Sequence, residues 1–99
     1  MDTIRKALVS VTLEQSLVEV GGSKLLNDVF RTLYEKFQCY LPDCYEHPEH
    51  LKSIAMEIDA GIYAMFVHSV QEKLAEFSYQ KPIEEFLLTI SGMKLEART

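Results

Sequence analysis

Residues 23–40 read SKLLNDVFRTLYEKFQCY, and this stretch decides the fold class. Leu25, Leu26, Val29, Phe30, Leu33, Phe37 and Tyr40 recur at intervals of three and four, which gathers them into one arc of a helix. Lys24, Asp28, Arg31 and Glu35 fall on the opposite arc. A half-buried strand would alternate at every second residue instead. Ser23 is a suitable N-cap, and Pro42 forbids continuation, so the pattern predicts an amphipathic helix of about four turns.

Working outward, the same spacing recurs in both directions. Upstream, Asp2 to Val20 predicts a first helix, with Gly21 at its C-cap. It carries two apolar sides. Ile4, Ala7, Leu8, Val11 and Val18 form one; Val9, Leu13, Leu17 and Val20 form the other. Val9 to Leu13 also alternates like a strand, but no partner strand is evident elsewhere. Two apolar sides imply burial on both, either at the centre of a bundle or against a second chain.

Downstream, Pro48 sits where the first residue of a third helix tolerates its missing N–H, and Leu51, Ile54, Ala55 and Ile58 follow as a short stripe. Asp59 can end this helix and cap the next, with Gly61 at the corner; a single bent helix is the alternative. Ile62, Tyr63, Phe66, Val67, Val70, Leu74 and Phe77 then share a broad face, with Met65 off it. Pro82 opens a last helix that turns Ile83, Phe86, Leu87 and Ile90 inward, with Glu84 and Glu85 in its first turn and Gly92 at its end. Met93 to Thr99 read as a frayed end. The expected architecture is all-α: one domain over residues 1–99, its core at about 2–92, built as a compact bundle of four to five helices.

Composition narrows the function. The chain has 99 residues, 47% of them hydrophobic and 25% charged, which suits one globular core and excludes a disordered chain. Fifteen acidic residues against ten basic ones leave a formal net charge of −5. The basic residues are scattered, so direct nucleic-acid binding and attachment to an anionic membrane are not expected. The longest uncharged stretch, Ala60 to Gln71, falls well short of the roughly 20 residues that a membrane span needs. The charged N-terminus does not read as a signal peptide, and a cytoplasmic location is expected.

One cluster stands out. Cys39-x4-Cys44-x2-His47-x2-His50 holds both cysteines and two of the three histidines. Thiolate and imidazole are zinc's preferred donors, and four of them close a tetrahedral site. The spacing matches no common zinc finger, however, and a tight loop with two small buried thiols is the favoured explanation. A reversible Cys39–Cys44 disulfide is a third reading, although four residues intervene where redox motifs have two. His68 and Ser69 are neighbours on a helix, so their side chains diverge and cannot pair as base and nucleophile. Glu84 and Glu85 read as first-turn residues. No nucleotide-binding, zincin or hydrolase motif occurs, so no enzyme is expected.

The stretch from Tyr34 to Leu51, YEKFQCYLPDCYEHPEHL, resembles the signature of a small archaeal all-helical family, the Nitrososphaera output domain. Gly21-Gly22 before the second helix and Lys81-Pro82-Ile83 near the end extend the likeness over nearly the whole chain. The resemblance implies an output module in simple signalling proteins and carries over no catalytic residue. Together with the missing catalytic motifs, it points to a protein-interaction module. Its mechanism would be burial of a helical face in a homodimer or against a partner protein. Leu13, Leu17 and Val20 of the first helix and Tyr40 and Tyr45 of the loop are the expected contact residues. A zinc-binding or redox-responsive protein using Cys39, Cys44, His47 and His50 is the alternative.

Overall fold

Two adjacent glycines shape the longest element. The computed structural model describes residues 2–54 and 57–91. The helix α1 runs over Asp2–Phe37 and is broken inside at Gly22, where φ is 73° and ψ is −174°. That conformation is open essentially to glycine alone. Gly21 is required for a second reason: a Cβ there would lie 2.6 Å from the Cβ of Leu25. The sequence placed the stop at Gly21 with Ser23 capping a new helix. The structure moves the break one residue on, and the helix resumes with no loop between the two arms.

The arms fold back on each other. Val18 and Leu26 line one groove with Glu14, and Glu14 lines the next with Phe30 and Tyr34. Facing positions are thus symmetrically placed about residue 22, as in an antiparallel helical hairpin. The second arm ends at Phe37, earlier than the pattern suggested. Gln38 takes a left-handed φ of 53°, and its N–H bonds the carbonyl of Tyr34 at 2.9 Å. This is a helix terminator made without glycine.

After a 3-10 turn over Leu41–Tyr45 come α2 (Glu49–Ile54), α3 (Ala60–Leu74) and α4 (Lys81–Ser91), with a second 3-10 turn over Ala75–Phe77. Helices α2 and α3 are separate. Asp59 takes an extended ψ of 131°, and its carboxylate accepts the Gly61 N–H at 2.6 Å as an N-cap. The fold is all-α, with no strand among the described residues. Ala55, Gly92 and Met93 to Thr99, which carry parts of the sequence reading, lie outside them.

One core joins all the elements. Val9, Leu13 and Leu17 come from the first arm of α1, and Leu25, Val29 and Leu33 from the second. Leu41 and Cys44 enter from the turn, Leu51 and Ile54 from α2, Phe66, Val67, Val70 and Leu74 from α3, and Ile83, Phe86 and Ile90 from α4. The inward stripes of α3 and α4 are those the periodicity predicts, and Met65 stays exposed. The expectation of two buried sides on the first helix is corrected. Leu13 and Leu17 are interior to the single chain at 0% and 1% exposure, while Ile4, Val11 and Val18 face outward. Leu13 and Leu17 therefore hold the hairpin to the rest of the bundle and are closed to a partner. Val20 is half-buried against the same core.

Polar ties lock the packing. Ser69 Oγ on α3 lies 3.0 Å from Ser16 Oγ and 2.9 Å from Glu19 Oε1 on α1. A hydroxyl has one proton, so Ser69 donates to the carboxylate and accepts from Ser16. Ser69 is thus a buried connector, while its neighbour His68 is exposed beside Glu72. Tyr63 donates its hydroxyl to the carbonyl of Ile90 at 2.6 Å, joining α3 to α4. Burial, and after it the nearby Cys44, pushes the Tyr63 phenol up to about 12.

Candidate functional site

The segment from Phe37 to His50 connects α1 to α2, and short local bonds fix its course. Asp43 accepts the Tyr40 N–H on its carboxylate at 2.9 Å and gives its own N–H to the Tyr40 carbonyl at 3.0 Å. The N–H groups of Glu46 and His47 both bond the Asp43 carbonyl at 3.1 Å. The His50 N–H bonds the carbonyl of His47 at 3.0 Å, which starts α2. In the 3-10 turn, positions three apart share a side. Leu41 and Cys44 therefore point inward together, at 1% and 0% exposure. Lys6 reaches over from α1 to Glu46 at 3.2 Å and Asp43 at 3.7 Å, pinning the turn from outside.

This geometry splits the four Cys/His candidates. Cys44 is withdrawn into the core, and burial, followed by nearby Cys39 and Asp43, pushes its thiol up to about 12. A thiol held protonated in this way neither ligates nor exchanges readily. The expected Cys39/Cys44/His47/His50 tetrad is corrected: its second sulfur faces the wrong way. Of the remaining three, His47 and His50 converge with Glu49, a residue that the sequence reading passed over, and Cys39 lies beside His50 alone. One donor atom from each of His47, Glu49 and His50 lies within 4.8 Å of the other two. His47 Nδ1 is 3.3 Å from Glu49 Oε2, and Cys39 Sγ is 3.5 Å from His50 Nδ1. The His50 ring stacks on Phe37, with centroids 3.9 Å apart and planes at 6°, and it faces the His47 ring at 5.1 Å. His47 and Glu49 are exposed, and Cys39 and His50 are half-buried. Bonding to its own backbone N–H, and then to His47, holds the Glu49 carboxyl below its usual range. Burial, followed by Asp43, raises the Cys39 thiol. A search confined to Cys and His misses Glu49. The signal was its place between two histidines at the start of a helix, where residues one to three apart crowd together.

On the other side of the same segment, Phe30, Tyr34 and Tyr40 are exposed at 37%, 53% and 66%. With Glu14, Leu41 and Pro42 they line a groove between the arms of α1 and the turn, and the Tyr34 and Tyr40 ring centroids are 5.9 Å apart. Tyr40, expected at an interface, lies in this groove. Tyr45, expected beside it, does not: it is half-buried with its ring 6.3 Å from that of Phe86. Phe30, expected in the inward arc, turns outward at its edge beside Tyr34.

Compared with protein-family models, with curated proteins and with solved structures, the chain matches none of them. No helix among the described residues is long and apolar enough to cross a membrane.

Proposed function

We propose that this chain is a protein-interaction module that seats an amphipathic helix of a partner in the groove lined by Phe30, Tyr34 and Tyr40. The carrying observation is that three large aromatic side chains converge at an accessible concave site. Tyrosine and phenylalanine give much contact area for little rotamer entropy, which is why they anchor interfaces. A second groove that shares Glu14, with Val18 and Leu26 beside Gln15, Glu19 and Lys73, lies next to it, and a helix-in-groove contact can use both. Glu14 makes no ion pair among the described residues, and the chain carries a net charge of −5. Both features favour a partner whose apolar stripe is flanked by lysine or arginine over a second copy of this acidic chain. A role as the output module of a signalling protein, as the resemblance of residues 34–51 to the Nitrososphaera output domain implies, is part of this proposal. In it the chain works by binding, in the cytoplasm, and performs no reaction.

The test is site-specific photo-crosslinking in cells, with the reactive residue at Tyr34 or Tyr40 and, as control, at Tyr79, which is 81% exposed and outside the groove. A discrete adduct from both groove positions but not from the control is expected. An adduct of twice the chain mass would replace the partner by a homodimer. Equal labelling at all three positions would overturn the proposal.

A further inference from the structure

The geometry points to a second site, independent of the groove: His47, Glu49 and His50, with Cys39 as the fourth donor, bind a single divalent metal ion of the zinc class. Zinc bonds of about 2.0–2.3 Å in a tetrahedral shell place neighbouring N and O donors about 3.4 Å apart, and neighbouring N and S donors about 3.6 Å apart. The His47 Nδ1 to Glu49 Oε2 separation is 3.3 Å, and the Cys39 Sγ to His50 Nδ1 separation is 3.5 Å. Two of the ligand-to-ligand edges are therefore already at length. The closure among His47, Glu49 and His50 starts from separations within 4.8 Å, and the two outer residues are exposed; Cys39, outside that group, has to swing toward His47 and Glu49 to complete the shell.

The scaffold prepares the site at its inner edge. Stacking on Phe37 fixes the plane of the His50 imidazole, and the contact with Cys39 fixes its rotation. Preset ring orientation is what supporting groups supply in metal sites. The donor set is mixed: two imidazoles, one carboxylate and one thiol. Imidazole and thiolate select zinc and its neighbours over magnesium or calcium, which prefer all-oxygen shells. Bound metal would tie the end of α1, through Cys39, to the start of α2, and so brace the turn that carries Tyr40.

The experiment uses the full reduced chain without an affinity tag, titrated with Zn²⁺ and, as an optical probe, Co²⁺. One metal per chain is expected. Tetrahedral Co²⁺ absorption should appear, together with near-ultraviolet thiolate charge transfer. Zn²⁺ should raise the melting temperature. His47→Ala and Glu49→Gln, both at exposed positions, should lower the apo melting temperature only slightly, through the lost His47–Glu49 contact and the Glu49 backbone bond. Each should weaken Zn²⁺ binding by more than the roughly 10–100-fold that loss of an outer-shell partner costs. Cys39→Ser should abolish the charge-transfer band while the His and Glu donors keep weaker binding. Zn²⁺ affinity unchanged in both His47→Ala and Glu49→Gln would overturn the site, as would no binding by the native chain. Co²⁺ binding without charge transfer would overturn the place given to Cys39.

Discussion

Replacing Gly22 by L-alanine should damage the fold far more than an exposed substitution ordinarily does. At φ 73° and ψ −174° the backbone occupies a region that costs an L-residue about 1–3 kcal/mol. No atom lies within 4 Å of the added Cβ, so the penalty is conformational rather than steric crowding by neighbours. The lowered entropy of the unfolded chain acts the other way, offsetting only about 0.4–1 kcal/mol of the penalty. Taking about 2 kcal/mol and about 4–8 °C per kcal/mol for a domain of this size, the melting temperature should fall by about 8–16 °C. The variant also has an escape. A straight helix over Asp2–Phe37 would be about 54 Å long at 1.5 Å per residue, whereas the molecule's longest dimension is 32 Å. Straightening would part the arms and uncover Val9, Leu13 and Leu17, which a second copy could then cover by exchanging arms. Light scattering after gel filtration separates the two fates: a destabilised monomer or an exchanged dimer. D-alanine is the decisive control, because φ 73°, ψ −174° mirrors the extended region open to every L-residue. It can be installed by ligation at Cys39. The D-variant should melt no lower than the native protein. An L-variant that melts as a monomer at the native temperature would refute the hairpin.

Three further outcomes follow from the core and its ties. Ser69→Ala should cost about 1–3 kcal/mol by leaving the fully buried Ser16 hydroxyl without its partner, and adding Ser16→Ala should recover part of that loss in denaturant titrations. The Glu19 carboxyl is held below its usual range by its hydrogen bond to Lys73, then by that to Ser69. Its stabilising effect is thus complete above pH 4.5, the ordinary carboxyl value, and is lost as the pH falls through the lower folded value; melting curves of Glu19→Gln should show a weaker acid dependence there than the native chain. Cys39, half-buried, should take up a thiol reagent at mildly alkaline pH while Cys44 stays unlabelled until the chain unfolds, so intact mass should show one adduct per native molecule.

Most of the fold was legible because periodicity reports burial directly. The inward faces of α3 and α4 and the Asp59 boundary are read correctly from spacing and cap chemistry. The first helix misled because a two-sided apolar pattern is compatible with a hairpin arm as well as with an interface. Ile4, Val11 and Val18 carry the same residue types as Val9, Leu13 and Leu17, and only the return of the second arm decides which set is enclosed. The end of α1 was misplaced because Gln38 adopts a conformation that sequence rules reserve for glycine or asparagine. At the candidate site the four Cys/His positions were visible, but their directions were not. Direction depends on the 3-10 turn, whose three-residue period sends Cys44 inward with Leu41.

That turn links the two proposed activities. Leu41 and Cys44 anchor one side of it in the core, and Lys6 holds Asp43 and Glu46 on the other. Tyr40 at its start faces the groove, and Cys39, the preceding residue, faces His50. Adjacent residues in extended backbone point to opposite sides, and Tyr40 is extended, with φ −113° and ψ 169°. A metal drawn between Cys39 and His50 would therefore limit the freedom of Tyr40 without touching the groove. Rigidity of this kind changes affinity by cutting the entropy lost on docking, with no new contact. Zn²⁺ should therefore tighten partner binding in the native chain and leave it unchanged in His47→Ala. By linkage the partner should then raise Zn²⁺ affinity by the same factor. Partner affinity that Zn²⁺ leaves unchanged in the native chain would show that the two events are not joined through this turn.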